Sequence, residues 1–357
     1  MQIKEFLKKL SEASGVSGYE TDLREMVRAE FSAYADDIRV DTMGNVIAYK
    51  RGDVTGDGPR HSIMLAGHMD EIGLLVTKVE KGFLRFATVG GFDLRVLPGQ
   101  EVIVHGRSDL PGIIAARPPH VLTKDEREKV LPLEKLFIDV GLPQKELSEM
   151  VRVGDVIALQ RQFTELAGDL VSGKAFDDRA AVACIAVCLQ HLATMKHSWD
   201  LYAVATVQEE VGLKGALTSA FGIAPSIGIA LDVGHGDMLG VSEVDTIKID
   251  GGPAIGLGPN IHPAMYSRLV ETAKSHEIPH QTDPTPGRSG TDAWAMQITR
   301  EGIPTALISI PLRYMHTTVE TLSVADLERI GRLLAQFIVN LDQDFAQELG
   351  LDKPLPW

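Results

Sequence analysis

His68-Met69-Asp70 closes the apolar run Ser62-Ile63-Met64-Leu65-Ala66-Gly67, whose composition predicts a buried strand. Side chains two apart on an extended chain share a face, so Asp70 can orient or polarise the His68 imidazole. More carboxylates and a histidine follow later strand-like runs: Asp177 and Asp178 in AFDDR (175–179), Glu209 and Glu210 in QEE (208–210), then Asp232 and His316. In an α/β fold strand ends converge on one crevice, so a dispersed set of this kind suits a two-metal hydrolase. The candidate ligands are His68, Asp177, Glu210, Asp232 and His316. Mixed imidazole and carboxylate donors fit Zn²⁺, Co²⁺ or Mn²⁺ better than Ca²⁺, which prefers all-oxygen shells. Three carboxylates and a bridging hydroxide carry four negative charges, which two divalent ions balance.

Each residue also has a structural explanation. Asp177 and Asp178 could cap the helix that follows, since Asp is favoured in a first helical turn. Adjacent Glu209 and Glu210 could be solvated, and Asp232 could open a turn into Gly234-His235-Gly236. The joint pattern favours the metal, because every candidate follows an apolar run or opens a buried helix, where an unpaired ionisable group is costly.

The elements that must position these groups are legible in outline. Helical stripes over 2–12 and 20–35 precede strands in IRVD, NVIAYK and SIMLAG. From about 72 to 166 helical patterns vanish, and IGLLVTKV, FLRFATV, EVIVHG, GIIAA, LFIDVG and DVIAL predict a small barrel or sandwich. The charged, Pro-flanked stretch 117–132 reads as a long, mobile excursion from it. After Gly168 strands and helices alternate again: a buried helix 176–194, strands 201–207 and 227–233, a short strand near 246–250, and a helix 261–275. Helices near 213–220 and 291–297, a strand 305–310 and a helix 323–343 complete the pattern. This predicts an α/β domain interrupted by a β-rich insertion. GGPAIGLGP (251–259) lacks the spacing and the Lys of a phosphate loop.

Composition narrows the partners. With 357 residues, 44% hydrophobic and 24% charged, the chain supports two soluble domains. A formal net charge of −14 argues against nucleic acid or an anionic membrane as partner. No apolar run is long enough to span a bilayer, and MQIKEFLKKLSEASG reads as an amphipathic helix without a signal-peptide core. Cys184 and Cys188 lie at i, i+4 in an apolar run, where a disulfide is geometrically poor. They read as buried thiols of a cytoplasmic protein.

Six stretches, AGHMDEIG (66–73), GKAFDDR (173–179), VQEEVGLKGA (207–216), ALDV (230–233), GTDA (290–293) and MHTTVE (315–320), resemble the tetrahedral (TET-type) aminopeptidases. These are co-catalytic metallopeptidases whose members also carry the labels glutamyl aminopeptidase and endoglucanase. The resemblance implies a zinc-peptidase-like central mixed sheet flanked by helices, formed by 1–70 and 167–357, with 71–166 as an inserted β-barrel dimerisation domain. It implies one metal on His68 and Asp232, a second on Glu210 and His316, and Asp177 bridging them, with a cis peptide following the bridge. From the residues alone Asp177 and Asp178 are equivalent. Asp70 would orient His68 and Glu209 would be the general base, releasing N-terminal residues from short peptides. Two divalent ions per subunit, Zn²⁺ or Co²⁺, and dimers assembled into a hollow dodecamer complete what the resemblance implies.

His235, Asp237, Arg288 and Thr291 are candidates for the substrate pocket, and His262 for a position near the cleft. Two other functions compete with this expectation. Glycoside hydrolysis needs two carboxylates flanking a sugar, commonly beside aromatic walls, yet the chain has three Trp, at 199, 294 and 357. A non-enzymatic metal- or peptide-binding scaffold would require decay of a ligand set that is intact.

Overall fold

The computed structural model describes residues 2–53, 60–127 and 129–351. Its strands are β1 (Asp37–Val40), β2 (Val46–Lys50), β3 (Ser62–His68), β4 (Gly73–Glu80), β5 (Phe83–Val89), β6 (Glu101–His105), β7 (Asp109–Ala116), β8 (Leu136–Asp139) and β9 (Val156–Leu159). They continue with β10 (Thr164–Glu165), β11 (Leu170–Gly173), β12 (Asp200–Thr206), β13 (Ile227–His235), β14 (Ala254–Leu257), β15 (Gln281–Pro284), β16 (Thr305–Leu312) and β17 (Glu320–Ser323).

The main sheet is mixed, in the order β1-β2-β12-β3-β13-β16-β14-β15. Its four central strands, β12, β3, β13 and β16, are parallel, so their carboxyl ends open on one side. Both faces are covered, which is why β3 reads as a continuous apolar run and not as an alternation. Ile63 and Leu65 enter the core under the helices Ile3–Glu12, Phe176–Leu192 and Val324–Val339, while Met64 and Ala66 enter the core of the opposite layer. The helix Phe176–Leu192 is buried almost throughout, Cys184 and Cys188 included. It packs against Val324–Val339 at Gly331, where a Cβ would meet Val187 Cγ1 at 2.4 Å, so only glycine permits this approach.

Strands β4 to β9 close a six-stranded barrel in the order β4-β5-β8-β7-β6-β9. Alternate residues such as Leu74, Val76, Val102, Val104, Ile114 and Ile138 fill its interior. The expected α/β layering and the barrel are therefore both present. Several local expectations are corrected. Residues 246–250 hold only the single bridge Gly236↔Ile247, and the helix read over 323–343 ends at Val339, with a separate helix Gln343–Glu348 following. Part of the Gly-rich stretch 251–259 is the strand β14, hidden by its glycines. The stretch 117–132 holds the short turns Pro119–Val121 and Lys124–Arg127; Glu128 and Trp357 lie outside the described residues.

A buried ion cluster ties the N-terminal segment to this frame. Glu71 meets Lys174 Nζ at 2.6 Å and Arg179 Nη2 at 3.1 Å, and accepts from the Gly15 N–H at 2.9 Å. Burial opposes the Glu71 charge, but Arg179 and Lys174 hold the carboxyl below its usual range. Arg179 also donates to Met69 O at 3.0 Å and Ala13 O at 2.7 Å. Glu71→Gln leaves two buried cations without their counter-charge, and about 3–5 kcal/mol of stability is expected to go with it. Urea unfolding monitored by circular dichroism checks this; an unchanged midpoint contradicts it.

Candidate metal centre

The sheet delivers the candidate groups one strand at a time. His68 is the last residue of β3 and sits in register with Thr206, so Glu209 and Glu210 emerge just beyond it from β12. Asp232 lies within the adjacent β13, in register with Ser309 of β16, and His316 follows the end of β16. Asp177 opens the buried helix beyond β11, and the Asp177–Asp178 peptide is cis.

His68 Nε2 lies 3.2 Å from Asp177 Oδ1, and His316 Nε2 lies 3.2 Å from Asp177 Oδ2 and 3.4 Å from Glu210 Oε1. The Asp177 carboxylate therefore stands between two imidazoles, one oxygen toward each. Asp178 faces inward as well, but its oxygens take the backbone N–H of His68 at 3.2 Å and of Ala181 at 3.3 Å. Three sets of donor atoms fall within 4.8 Å of one another: Asp177, Glu210 and His316; His68, Asp178 and Asp232; and His68, Glu209 and Glu210. Imidazole nitrogens and carboxylate oxygens clustered at this spacing fit divalent transition ions.

Asp70 is fully buried and spends its carboxylate on positioning. It accepts the N–H of Glu209 at 3.0 Å and of Glu210 at 3.2 Å, together with the Ser17 hydroxyl, and its Oδ1 lies 3.5 Å from His68 Nδ1. His68 Nδ1 also faces Asp70 O at 3.2 Å, so the far side of the ring is held by one residue. Ala175, Gln208 and His316, all beside candidate groups, have positive φ of 55–61°. Such backbone is costly for residues other than glycine and persists where the surroundings determine it.

The electrostatics match a site built to hold cations. Among protein groups alone, burial pushes Glu209 up to about 9 and holds Asp232 and Asp178 well above the carboxylate range. Hydrogen bonding to Asp177 and then Glu210 lifts His316 to about 11. Burial opposes the charge on Asp177, yet His316 and His68 draw its carboxyl below the usual range. A divalent ion relieves the same carboxylate crowding that protons otherwise relieve.

Two further carboxylates belong to this centre. Glu320 is buried at the start of β17; its oxygens accept the N–H of His316 at 2.9 Å and of Asp177 at 3.1 Å, so it fixes both loops at once. Asp292 is buried, accepts from Thr206 Oγ1 at 2.5 Å, and is raised by burial to about 6; its other oxygen has no partner among the described residues. Both stand in stretches already singled out, MHTTVE and GTDA, but their roles depend on contacts that no local spacing encodes.

A cleft of about 1130 Å³ runs from His68 and Asp232 across β13 and β16 to residues 282–291. His235, Arg288 and Thr291 line it. Asp237 instead directs its carboxylate to Arg313 Nη2 at 3.3 Å and to the Ile249 N–H at 2.8 Å. His262, expected near the cleft, is not among its lining residues; it precedes the helix Pro263–Ser275 without a side-chain capping bond, and its Nδ1 is buried without a hydrogen-bond partner among the described residues.

A mixed α/β sheet with an inserted barrel, and a buried His/carboxylate cluster at the ends of its parallel strands, define an α/β metallohydrolase of the peptidase type. Residues 44–333 match the peptidase M42 family, M42 glutamyl aminopeptidase, and the chain belongs to that family. Lysyl aminopeptidase of Pyrococcus furiosus is 35% identical over 344 residues, 94% of this chain and 97% of its own. Among solved structures, a TET aminopeptidase from a marine sediment Thaumarchaeota archaeon superposes with a TM-score of 0.91 at 34% identity, covering 97% of this chain and 98% of that one. The Pyrococcus horikoshii TET1 peptidase, which can assemble into a tetrahedron or a large octahedral shell, matches with a TM-score of 0.83 at 32% identity over 95% of this chain and all of its own. The chain is accordingly an aminopeptidase of a metal-dependent family.

Proposed function

We propose that this aminopeptidase uses two divalent ions, one on His68 and Asp232 and one on Glu210 and His316, with Asp177 bridging and Glu209 as general base. The observation that carries this reading is the Asp177 carboxylate, whose oxygens each face a different imidazole at 3.2 Å. A pair of divalent cations, Zn²⁺ or Co²⁺, supplies Lewis acidity toward a peptide carbonyl and toward a water molecule. Glu209 accepts the water proton and returns it to the leaving amine. Asp70 holds His68 in one ring orientation and, through two backbone N–H bonds, keeps Glu209 and Glu210 facing the same point. Ionised carboxylates at this end also suit a free α-ammonium, which selects peptides by their N-terminus.

The barrel fits a dimer contact, since Phe83, Ile113, Val121 and Val130 are exposed apolar side chains on or beside it. A shell of the kind its Pyrococcus horikoshii relative forms would then admit short peptides and exclude folded chains. Two buried, unpaired thiols suit a reducing cytoplasm, and no helix among the described residues is long and apolar enough to cross a membrane.

Chelated enzyme titrated with Zn²⁺ or Co²⁺ should regain hydrolysis of aminoacyl-anilides near two equivalents per subunit and show none on N-acetylated analogues. Full activity at one equivalent would remove the dinuclear reading, and cleavage of blocked substrates the exopeptidase one. The family description is glutamyl and one relative is lysyl, so side-chain selectivity resides in each chain's own cleft.

A further inference from the structure

We propose that the distal end of the cleft is a cation pocket that selects peptides beginning with lysine or arginine, with Asp283 as the specificity-determining residue. The proposal rests on the aminopeptidase reading of the metal end.

The pocket follows from strand register. Ser309 of β16 pairs with Asp232 of β13 in a parallel ladder, so the two side chains emerge on the same face as neighbours. Ser309 Oγ donates to Asp283 Oδ2 at 2.6 Å, which places a second carboxylate just beyond the metal-facing row. Strand β14 lies between β16 and β15, and the residue opposite Asp283 on it is Gly256. A Cβ at Gly256 would come within 3.2 Å of Leu307 Cβ. Glycine there keeps the strand close against Leu307 and Ile261 beside the row that carries Asp283. Leu307, Ser309 and Asp283 all line the cleft.

Charge decides what such a pocket takes. Among the described residues no Lys or Arg forms an ion pair with Asp283, and Ser309 is the side chain that donates to its carboxylate. Glu243 and Asp245 line the same cleft and add to its negative field. Of the nearby cations, Arg313 meets Asp237, while Arg288, also in the cleft lining, lies over the Trp294 ring at 5.2 Å and forms no ion pair with Asp283 among the described residues. The proposed pair of divalent ions would offset the carboxylates at the near end, and no cation pairs directly with Asp283 among the described residues. A lysine or arginine side chain lays its apolar stem along Leu307 and its charged head on Asp283, replacing lost hydration with a charge-assisted hydrogen bond. A leucine side chain leaves that half-buried carboxylate partly dehydrated and unpaired, and a glutamate side chain is repelled.

The test is kcat/KM of the assembled, metal-loaded enzyme for lysyl-, arginyl-, leucyl- and glutamyl-anilides, for the wild type, Asp283→Asn and Asp283→Glu. The wild type should favour the two basic substrates over leucine by about tenfold or more. Asp283→Asn should collapse the lysine-to-leucine ratio, mainly through KM, and Asp283→Glu, which keeps the charge, should retain a basic preference. Preference for leucine or glutamate in the wild type, or an unchanged ratio in Asp283→Asn, overturns the pocket while leaving the aminopeptidase intact. Hydrolysis of none of the four substrates would overturn both, so the two failures are distinguishable.

Discussion

Replacing Glu209 with Gln should reduce kcat by about 10²–10⁴-fold while both metal sites continue to fill. Gln preserves the size and planarity of the side chain but cannot accept a proton, so the variant separates base chemistry from site construction. Glu209 suits this separation because its position is held through the backbone: its N–H is bonded to Asp70 Oδ1 at 3.0 Å, and Oε2 stands 3.7 Å from His68 Nε2. The side chain is buried, and among protein groups alone burial lifts it to about 9, with Asp232, Asp292 and Glu210 adding to the rise against the pull of His68. The proposed cations beside it would lower that value toward the range in which a carboxylate can take a proton from water and give it back. Metal content by plasma mass spectrometry and steady-state rates on one anilide decide the matter. A variant that binds two ions and still turns over within a factor of a few of wild type would deprive Glu209 of its role.

How much of this was legible before folding depends on the range of the interaction. The candidate ligands could be read because each follows a strand whose own apolar composition announces it, and parallel strands bring their carboxyl ends together without further instruction. The barrel was legible for the same reason, as six short strands without helices between them. What stayed hidden is nonlocal. Glu320 fastens Asp177 from 143 residues away, a pairing created by the β11–β17 ladder, in which Glu320 stands opposite Gly173. Ser17, in a loop between two helices, supplies a hydroxyl to Asp70. Strand β15 was missed because it ends in Pro284, and proline marks edge strands, where β15 indeed lies. That edge carries Asp283, so the selectivity proposed for the cleft rests on the least legible strand of the sheet.

If Asp177 bridges two ions as proposed, Asp177→Ala should empty both metal sites, and Asp178→Ala should not. The residues are adjacent, both are buried, and the sequence treats them alike, yet their oxygens have different employment. Those of Asp177 are directed at His68 Nε2 and His316 Nε2, each at 3.2 Å, and its N–H is anchored by Glu320. Those of Asp178 accept backbone N–H groups of His68 and Ala181, so they join the end of β3 to the first turn of the buried helix. In the proposed centre, removing the Asp177 carboxylate would take a ligand from both ions at once and leave their mutual repulsion without the anion between them. Bound metal should fall below one equivalent per subunit, with activity at background. Removing the Asp178 carboxylate leaves two buried N–H groups unpaired, at about 1–3 kcal/mol each, so the loss appears as a lower unfolding midpoint while both ions remain. Without ions the Asp177 carboxylate is still paired with His316 and His68, which hold its carboxyl below the usual range, so Asp177→Ala measured in chelator should also be less stable than wild type. Both variants lose contacts made by protein groups alone, so metal stoichiometry, measured beside urea unfolding, is the readout that separates them. If Asp178→Ala loses the ions and Asp177→Ala keeps them, the bridge belongs to the second aspartate.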